Sequence, residues 1–185
     1  MEHYRYLQKA FGAETGEPSA FAPTALRRDR LLTRTYDHAN ATDLTNLLVA
    51  SYDVVDPMRP FAQTGHRDEW VEYVTQLTVA NGCGTFEPTM SPVLSFECRG
   101  LAGAALVSRI APDVAHLAQV AVHPVMRGRK LGRQLVINAM TTAQRQGCER
   151  FTLLVSERNE TATRLYERLG FEVTASFASV GRPQI

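Results

Sequence analysis

HPVMRGRKLGRQLV, His123 to Val136, is the stretch from which the rest of the chain can be read. An alternating run, Ala115 to Val122, ends at His123-Pro124, a basic loop with glycine follows, and a helical pattern starts near Leu131. The first N–H groups of a helix have no partner within it, and the helix dipole adds partial positive charge at that end. Arg127, Arg129, Lys130 and Arg133 bring four cations to the same place. Gly128 and Gly132 carry no Cβ, so a bulky anion can approach the main chain. Together these features describe a site for a phosphate-rich ligand. The plainer alternative is a basic surface turn capping an ordinary helix. The spacing matches neither G-x-x-x-x-G-K-[ST] nor G-x-G-x-x-G.

Toward the C-terminus, Leu131 to Gln146 places Leu131, Leu135, Ala139 and Ala143 on one helical face, and Gly147 closes it. FTLLV, Phe151 to Val155, is continuously apolar, as in the middle of a sheet. In ERNETATRLYERLGFEV, Glu157 to Val173, Asn159 is a candidate N-cap for a helix over Glu160 to Leu169, and Ala162, Leu165 and Leu169 form its buried stripe. Tyr166 follows Ala162 by four and shares that side, as a half-buried packing tyrosine or as a functional group. Phe171 to Val180 supplies one or two last strands.

Toward the N-terminus, PVLSFEC and LAGAALVSR are two strands around an Arg99-Gly100 hairpin. Arg67 to Ala80 carries Trp70, Tyr73, Val74 and Leu77 at helical spacing. Asp43 to Tyr52 does the same with Leu44, Leu47, Leu48 and Ser51, and Thr42 is its candidate cap. LLTRTYD from Leu31 alternates as a strand, and residues 2–11 read as a short helix. Residues 1–30 are therefore expected to be an N-terminal extension and linker, and residues 31–185 the domain. Strands and helices in this order predict a mixed sheet covered by helices.

The composition narrows the function classes. With 185 residues, 44% hydrophobic, the chain is long enough for one well-buried domain. A net charge of +1 provides no global field for nucleic acid, and the basic loop has no interleaved aromatics. No apolar run of membrane-spanning length occurs, and the first residues lack the apolar core of a signal peptide. Cys83, Cys98 and Cys148 form neither a C-x-x-C pair nor an even set, so no metal site or disulfide framework is expected and a cytoplasmic location is.

The two informative segments, in this order, resemble the GNAT family of N-acetyltransferases. The family's loop, Gln/Arg-x-x-Gly-x-Gly/Ala after a strand ending in Val-x-Pro, is matched by QVAVHP and Arg127-Gly128-Arg129-Lys130-Leu131-Gly132. Its later motif, Asn-x-x-Ala-x-x-Leu-Tyr-x-x-x-Gly-Phe, is matched by Asn159, Ala162, Leu165, Tyr166, Gly170 and Phe171. The resemblance is clear from Pro92 to Val173 and loose from Leu31 to Met90. One place departs: Lys130 stands where the loop motif has glycine, which is sterically acceptable if the backbone there already has a negative, helical φ.

The resemblance implies an α/β fold with a mostly antiparallel mixed sheet, helices on both faces, and a gap between its parallel fourth and fifth strands. It implies acetyl-CoA as co-substrate and direct transfer of acetyl to an amine acceptor, which is a small molecule, an amino acid or a peptide. The implied cofactor contacts are Val120, Ala121 and Val122 along the gap, Arg127, Gly128, Arg129, Lys130, Leu131, Gly132 and Arg133 around the diphosphate, and Asn159, Ala162 and Tyr166 from the last helix. Tyr166 is the implied acid. The base is open among His116, Gln119, Glu97 and a water chain, and strand alternation separates His116 from Gln119 unless a bulge intervenes. Asp53, Asp56, Arg59 and His66 are candidates for the acceptor wall, with Phe86 and Met90 as its apolar lining. An acyl-CoA sensor of the same fold that transfers nothing remains the alternative, and exposed edge strands leave room for a homodimer.

Overall fold

The alternating and apolar runs become strands, and the periodic ones become helices. The computed structural model describes residues 2–12, 31–52, 62, 64–96 and 100–179. Its strands are β1 (Glu2–Ala10), β2 (Leu31–Thr35), β3 (Thr85–Phe86), β4 (Pro92–Phe96), β5 (Leu101–Ala111), β6 (Val114–Val122), β7 (Arg150–Ser156) and β8 (Glu172–Ser179). Its α-helices are α1 (Ala41–Ser51), α2 (Arg67–Thr78), α3 (Leu131–Arg145) and α4 (Glu160–Arg168). The strands form one sheet in the order β2-β4-β5-β6-β7-β1-β8, and β3 pairs with β5. Every ladder is antiparallel except β6–β7. The mixed, mostly antiparallel sheet with helices on both faces is the one the sequence implies.

Each face of the sheet buries its own core. On one side Leu135, Val136 and Ala139 of α3 and Tyr166 of α4 pack with Ala105, Val107, Phe151 and Leu153 of the sheet. On the other, Leu44 and Leu48 of α1 and Trp70 and Val74 of α2 pack with Ala104 and Leu106. Full burial of such a side chain contributes about 1.5–3 kcal/mol, so the two cores fix which face each helix covers. No described helix is long and apolar enough to cross a membrane.

Two local expectations change, and one open alternative closes. Residues 2–11 were expected to be helical, but residues 2–10 are strand β1, inserted between β7 and β8 and antiparallel to both. The segment alternates sides as a strand does: Leu7 is fully buried in the α3-side core, while Tyr4 and Tyr6 make ring contacts with Phe177 and His116. Its main-chain partners come from the far end of the chain, so the local alternation can suggest a strand but cannot name its neighbours. Thr42 is not a cap. The chain enters a short 3-10 turn one step earlier, where Asp37 accepts from Ala39 N–H and Asn40 returns a bond to Asp37 N–H. The last segment forms a single strand, β8.

Candidate active site

β6 and β7 pair only over part of their length. The rungs run from Val114↔Arg150 to Leu117↔Leu153, and none joins the rest of β6 to the rest of β7. The parting coincides with a bulge on β6. Leu106 of β5 faces Gln119 while Val107 faces Leu117, so Ala118 is an extra residue. A bulge bends its strand and increases the local twist, which here turns β6 away from β7.

The bulge also resets the alternation. Ala115 and Leu117 belong to the α3-side core, Ala118 and Ala121 to the α1-side core, and Val120 and Val122 to the α3 side again. His116, between Ala115 and Leu117, therefore faces the α1 side, and so does Gln119, whose Nε2 donates to Tyr52 Oη at 3.0 Å. The two residues share a face. The main chain is sorted as well. His123 N–H donates to Ala102 C=O at 2.9 Å. In an antiparallel ladder alternate residues turn outward, so Val122 and Val120 direct N–H and C=O toward β7 while Ala121 faces β5.

A cleft of about 1750 Å³ occupies this gap. That exceeds an ordinary small-ligand pocket of roughly 300–1,000 Å³ and leaves room for two reactants. At its basic end, Gly128 has φ +77° and Lys130, the N-cap of α3, has φ +61° and ψ +14°. Successive N–H groups around left-handed residues converge into an anion-binding concavity. The negative φ that would make Lys130 sterically acceptable is therefore not what is found. A left-handed non-glycine residue costs about 1–2 kcal/mol. Lys130, Arg129 and Arg133 are exposed, and Leu131 is buried and anchors α3. Arg127 is committed elsewhere, with Nη2 donating to Ser51 C=O at 2.6 Å, while Ser51 Oγ donates to Val122 C=O at 3.3 Å. These two bonds tie the loop and β6 to the end of α1.

Across the gap, Asn159 caps α4 by accepting from Ala162 N–H at 3.0 Å. The cap fixes the start of the helix that carries Tyr166 into the cleft. The Tyr166 ring sits edge-on to Phe171, with centroids 5.7 Å apart. Burial, and secondarily the neighbouring Tyr52, pushes the Tyr166 phenol well above its ordinary pKa, so it stays protonated at neutral pH. Burial pushes His116 the other way, to about 4, leaving a neutral imidazole. Thr152 Oγ1 donates to Ala115 C=O at 3.3 Å and so receives the proton of His116 Nδ1 at 2.9 Å. That network assigns the proton to Nδ1 and leaves Nε2 an acceptor.

The expected acceptor wall is only partly visible. Asp53, Asp56, Arg59 and Glu97 lie outside the described residues. His66 is the N-cap of α2 and is not among the residues lining the cleft. Phe86 and Met90 do not line it either. Phe86 packs in the α1-side core, edge-on to Tyr36 at 5.2 Å, and Met90 is fully buried in the α3-side core. The lining comes instead from Glu72, Tyr73 and Gln76 of α2, Cys83 after it, and Tyr4 and Phe177 of the strands beyond β7. Nothing in the sequence singled out Glu72 or Gln76. The aromatics at every second place in HYRYLQ were a usable signal, and the helical reading of residues 2–11 passed over it.

The comparisons with known proteins agree with this geometry. The model of the acetyltransferase (GNAT) family matches residues 42–171, more than half of the chain. A mycothiol acetyltransferase of Beutenbergia cavernae is 30% identical over 127 residues, which cover 68% of this chain and 42% of that protein. The chain spans less than half the length of the curated relatives it matches. Among solved structures, a GCN5-related N-acetyltransferase from Sphaerobacter thermophilus superposes with a TM-score of 0.68 at 17% identity, over 95% of this chain and 49% of that one. The protein yncA of Salmonella typhimurium, solved with acetyl-CoA, superposes with a TM-score of 0.59 at 23% identity, over 82% and 84%. The split strand pair, the left-handed loop before α3 and the extent of the family match lead to one conclusion: the chain belongs to the acetyltransferase (GNAT) family.

Proposed function

We propose that the protein transfers an acetyl group from acetyl-CoA to an amine. The observation that carries this reading is the gap between β6 and β7, with outward main-chain groups along it, a concavity of N–H groups at one end and a protonated phenol inside. The fit to the co-substrate is chemical. Its diphosphate matches the main-chain amides between Arg127 and Arg133 at the start of α3, with Arg129, Lys130 and Arg133 adding charge. Its amide-bearing arm matches the main-chain groups of Val120 and Val122, which can pair with it as an added strand. Ala121 lines the same stretch, and Asn159 and Ala162 flank the arm from α4. When bound, acetyl-CoA supplies an acyl thioester that a neutral amine can displace.

The chain's own residues then do three things. The cleft holds both reactants in one geometry, which supplies much of the rate. A β6 N–H facing the gap, that of Val120, stabilises negative charge developing on the thioester oxygen. Tyr166 Oη gives its proton to the departing sulfur and is reprotonated from water. His116 Nε2 accepts a hydrogen bond from the attacking amine and orients it. A pKa of about 4 makes His116 a weak base, so the surplus amine proton goes to water in the open cleft. Gln119 acts by holding Tyr52 in place.

The test is to mix protein, acetyl-CoA and an amine panel and to follow free thiol. Thiol release that depends on the amine and on Tyr166 is expected. Acetyl-CoA binding with no release above background for any amine would overturn transfer and leave only a binding module.

A further inference from the structure

Helix α1 ends against the open stretch of β6. Its last residue, Ser51, is buried and lines the cleft, and its Oγ donates to Val122 C=O at 3.3 Å. The next residue, Tyr52, accepts at Oη from Gln119 Nε2 at 3.0 Å. The two bonds meet β6 on either side of Val120 and Ala121, where β5 is its neighbour and no rung reaches β7. A bulge increases the twist of its strand, so the direction of the Val120 N–H depends on what holds β6 from outside the sheet.

Arg127 completes the hold. It lies in the basic loop before α3, yet its Nη2 donates to Ser51 C=O at 2.6 Å. The last carbonyls of a helix lack partners within it and carry partial negative charge, which a cation stabilises. The last turn of α1 has no basic residue of its own, and Arg127 supplies one from the loop. To meet an anion at the start of α3, this guanidinium would have to give up a charge-assisted bond at the end of α1.

We propose that Ser51 and Arg127 are positioning residues for the acyl-carrying arm of the co-substrate, and that the Arg127 side chain is not a ligand of the diphosphate. With Tyr52 they splint the unpaired stretch of β6, so that Val120 and Val122 present their main-chain groups to the arm. The inference rests on the transferase reading above and assigns further residues to it. It divides the four cations of the loop between two tasks: Arg129, Lys130 and Arg133 add charge near the diphosphate, and Arg127 holds the strand.

The experiment compares coenzyme A with pantetheine, which has the same arm and thiol but neither diphosphate nor nucleotide. Binding to the wild-type, Ser51→Ala and Arg127→Ala proteins is measured by calorimetry, and thermal unfolding of each free protein checks that it is folded. The matching acyl donors, acetyl-CoA and S-acetylpantetheine, are followed by thiol release. Each substitution is expected to weaken coenzyme A and pantetheine by the same factor, about threefold to tenfold, the scale of one lost hydrogen bond. The kcat/KM values of the two donors should fall in parallel. If Ser51→Ala does not fold, Arg127→Ala carries the comparison alone, because Arg127 is exposed. Coenzyme A weakened by Arg127→Ala with pantetheine unmoved would make Arg127 a diphosphate ligand and overturn the inference. Unchanged affinity for both would do the same. So would a wild-type affinity for pantetheine too low to register, because the β6 edge would then contribute little to binding. Parallel losses in binding with no thiol release from either donor would keep the positioning assignment and remove the transferase reading alone.

Discussion

The two ends of the β6–β7 pair are built in opposite ways. At the Val114–Arg150 end the strands are laced together. Asp113 C=O accepts from Glu149 and Arg150 N–H at 2.8 and 3.1 Å, and Asp113 Oδ2 meets Arg150 Nη2 at 2.7 Å. Arg109 nearby joins Glu87 at 2.9 Å and Cys148 at 3.2 Å. At the Val122–Ser156 end no rung closes the strands, and β6 is held from α1 instead, through Ser51, Arg127 and the Gln119–Tyr52 bond. Main-chain groups without strand partners in the middle of a sheet are costly unless something else satisfies them. The closed end fixes where the strands are, α1 holds the open end apart, and the groups left over are what a ligand can use. One strand pair thus supplies stability at one end and leaves main-chain groups unpaired at the other, with the Ala118 bulge as the boundary.

The sharpest way to break this division is at Tyr166, on the open side. Tyr166→Phe should lower kcat about a thousandfold, within the usual range for a lost general acid, while acetyl-CoA affinity and thermal stability hold. Steady-state thiol release and calorimetry check it, and an equal fall in cofactor affinity would show Tyr166 to be a packing residue. Phe151, fully buried beside the closed end, is the converse case. Phe151→Ala should cost about 4 kcal/mol in urea unfolding, and any loss of activity should follow the fraction unfolded.

His116 belongs to the closed end, where it meets Thr152 across their shared rung, and it makes stability depend on pH. Its folded pKa of about 4 lies below the ordinary 6.5, so between those values the unfolded chain binds a proton that the native one does not. The stabilisation is full above pH 6.5 and is lost as pH falls toward 4, up to about 3 kcal/mol. Denaturant titrations across that window should show the loss, and His116→Asn should flatten it. The smallest effect is expected at Lys130. Lys130→Gly relieves the left-handed strain but loosens the unfolded chain, for a net gain of about 0.5–1 kcal/mol without ligand. Destabilisation instead would mean that the Lys130 side chain makes a contact worth more than its backbone strain.

The parts of this protein that were legible in the sequence are those with local causes. Pro124, the glycines of the loop and Leu131 mark a strand, a turn and a helix start within a few residues. Asn159 three places before Ala162 marks a cap, and the structure places it there. Phe151 to Val155 reads as a buried strand because all of it but Thr152 is apolar. The misreadings have non-local causes. Tyr4 and Tyr6 reach the cleft only because β7 and β8 bracket β1. Phe86 and Met90 precede the hairpin and read as pocket residues, yet the fold turns both into core. A side chain at Lys130 reads as acceptable on a helical backbone, but the backbone is left-handed where the loop meets α3.

By itself the sequence determined the main strands and helices from Leu31 onward, the basic loop at the start of α3 and the cap that sets Tyr166. Each depends on propensities and hydrogen bonds within a turn or two of chain. Only the tertiary structure decided that β6 bulges at Ala118, that His116 and Gln119 share a face, and that the first strand completes the far half of the sheet. Those outcomes depend on which segments meet across the sheet. A one-residue change of register moves a side chain to the opposite face and leaves no mark on the local pattern.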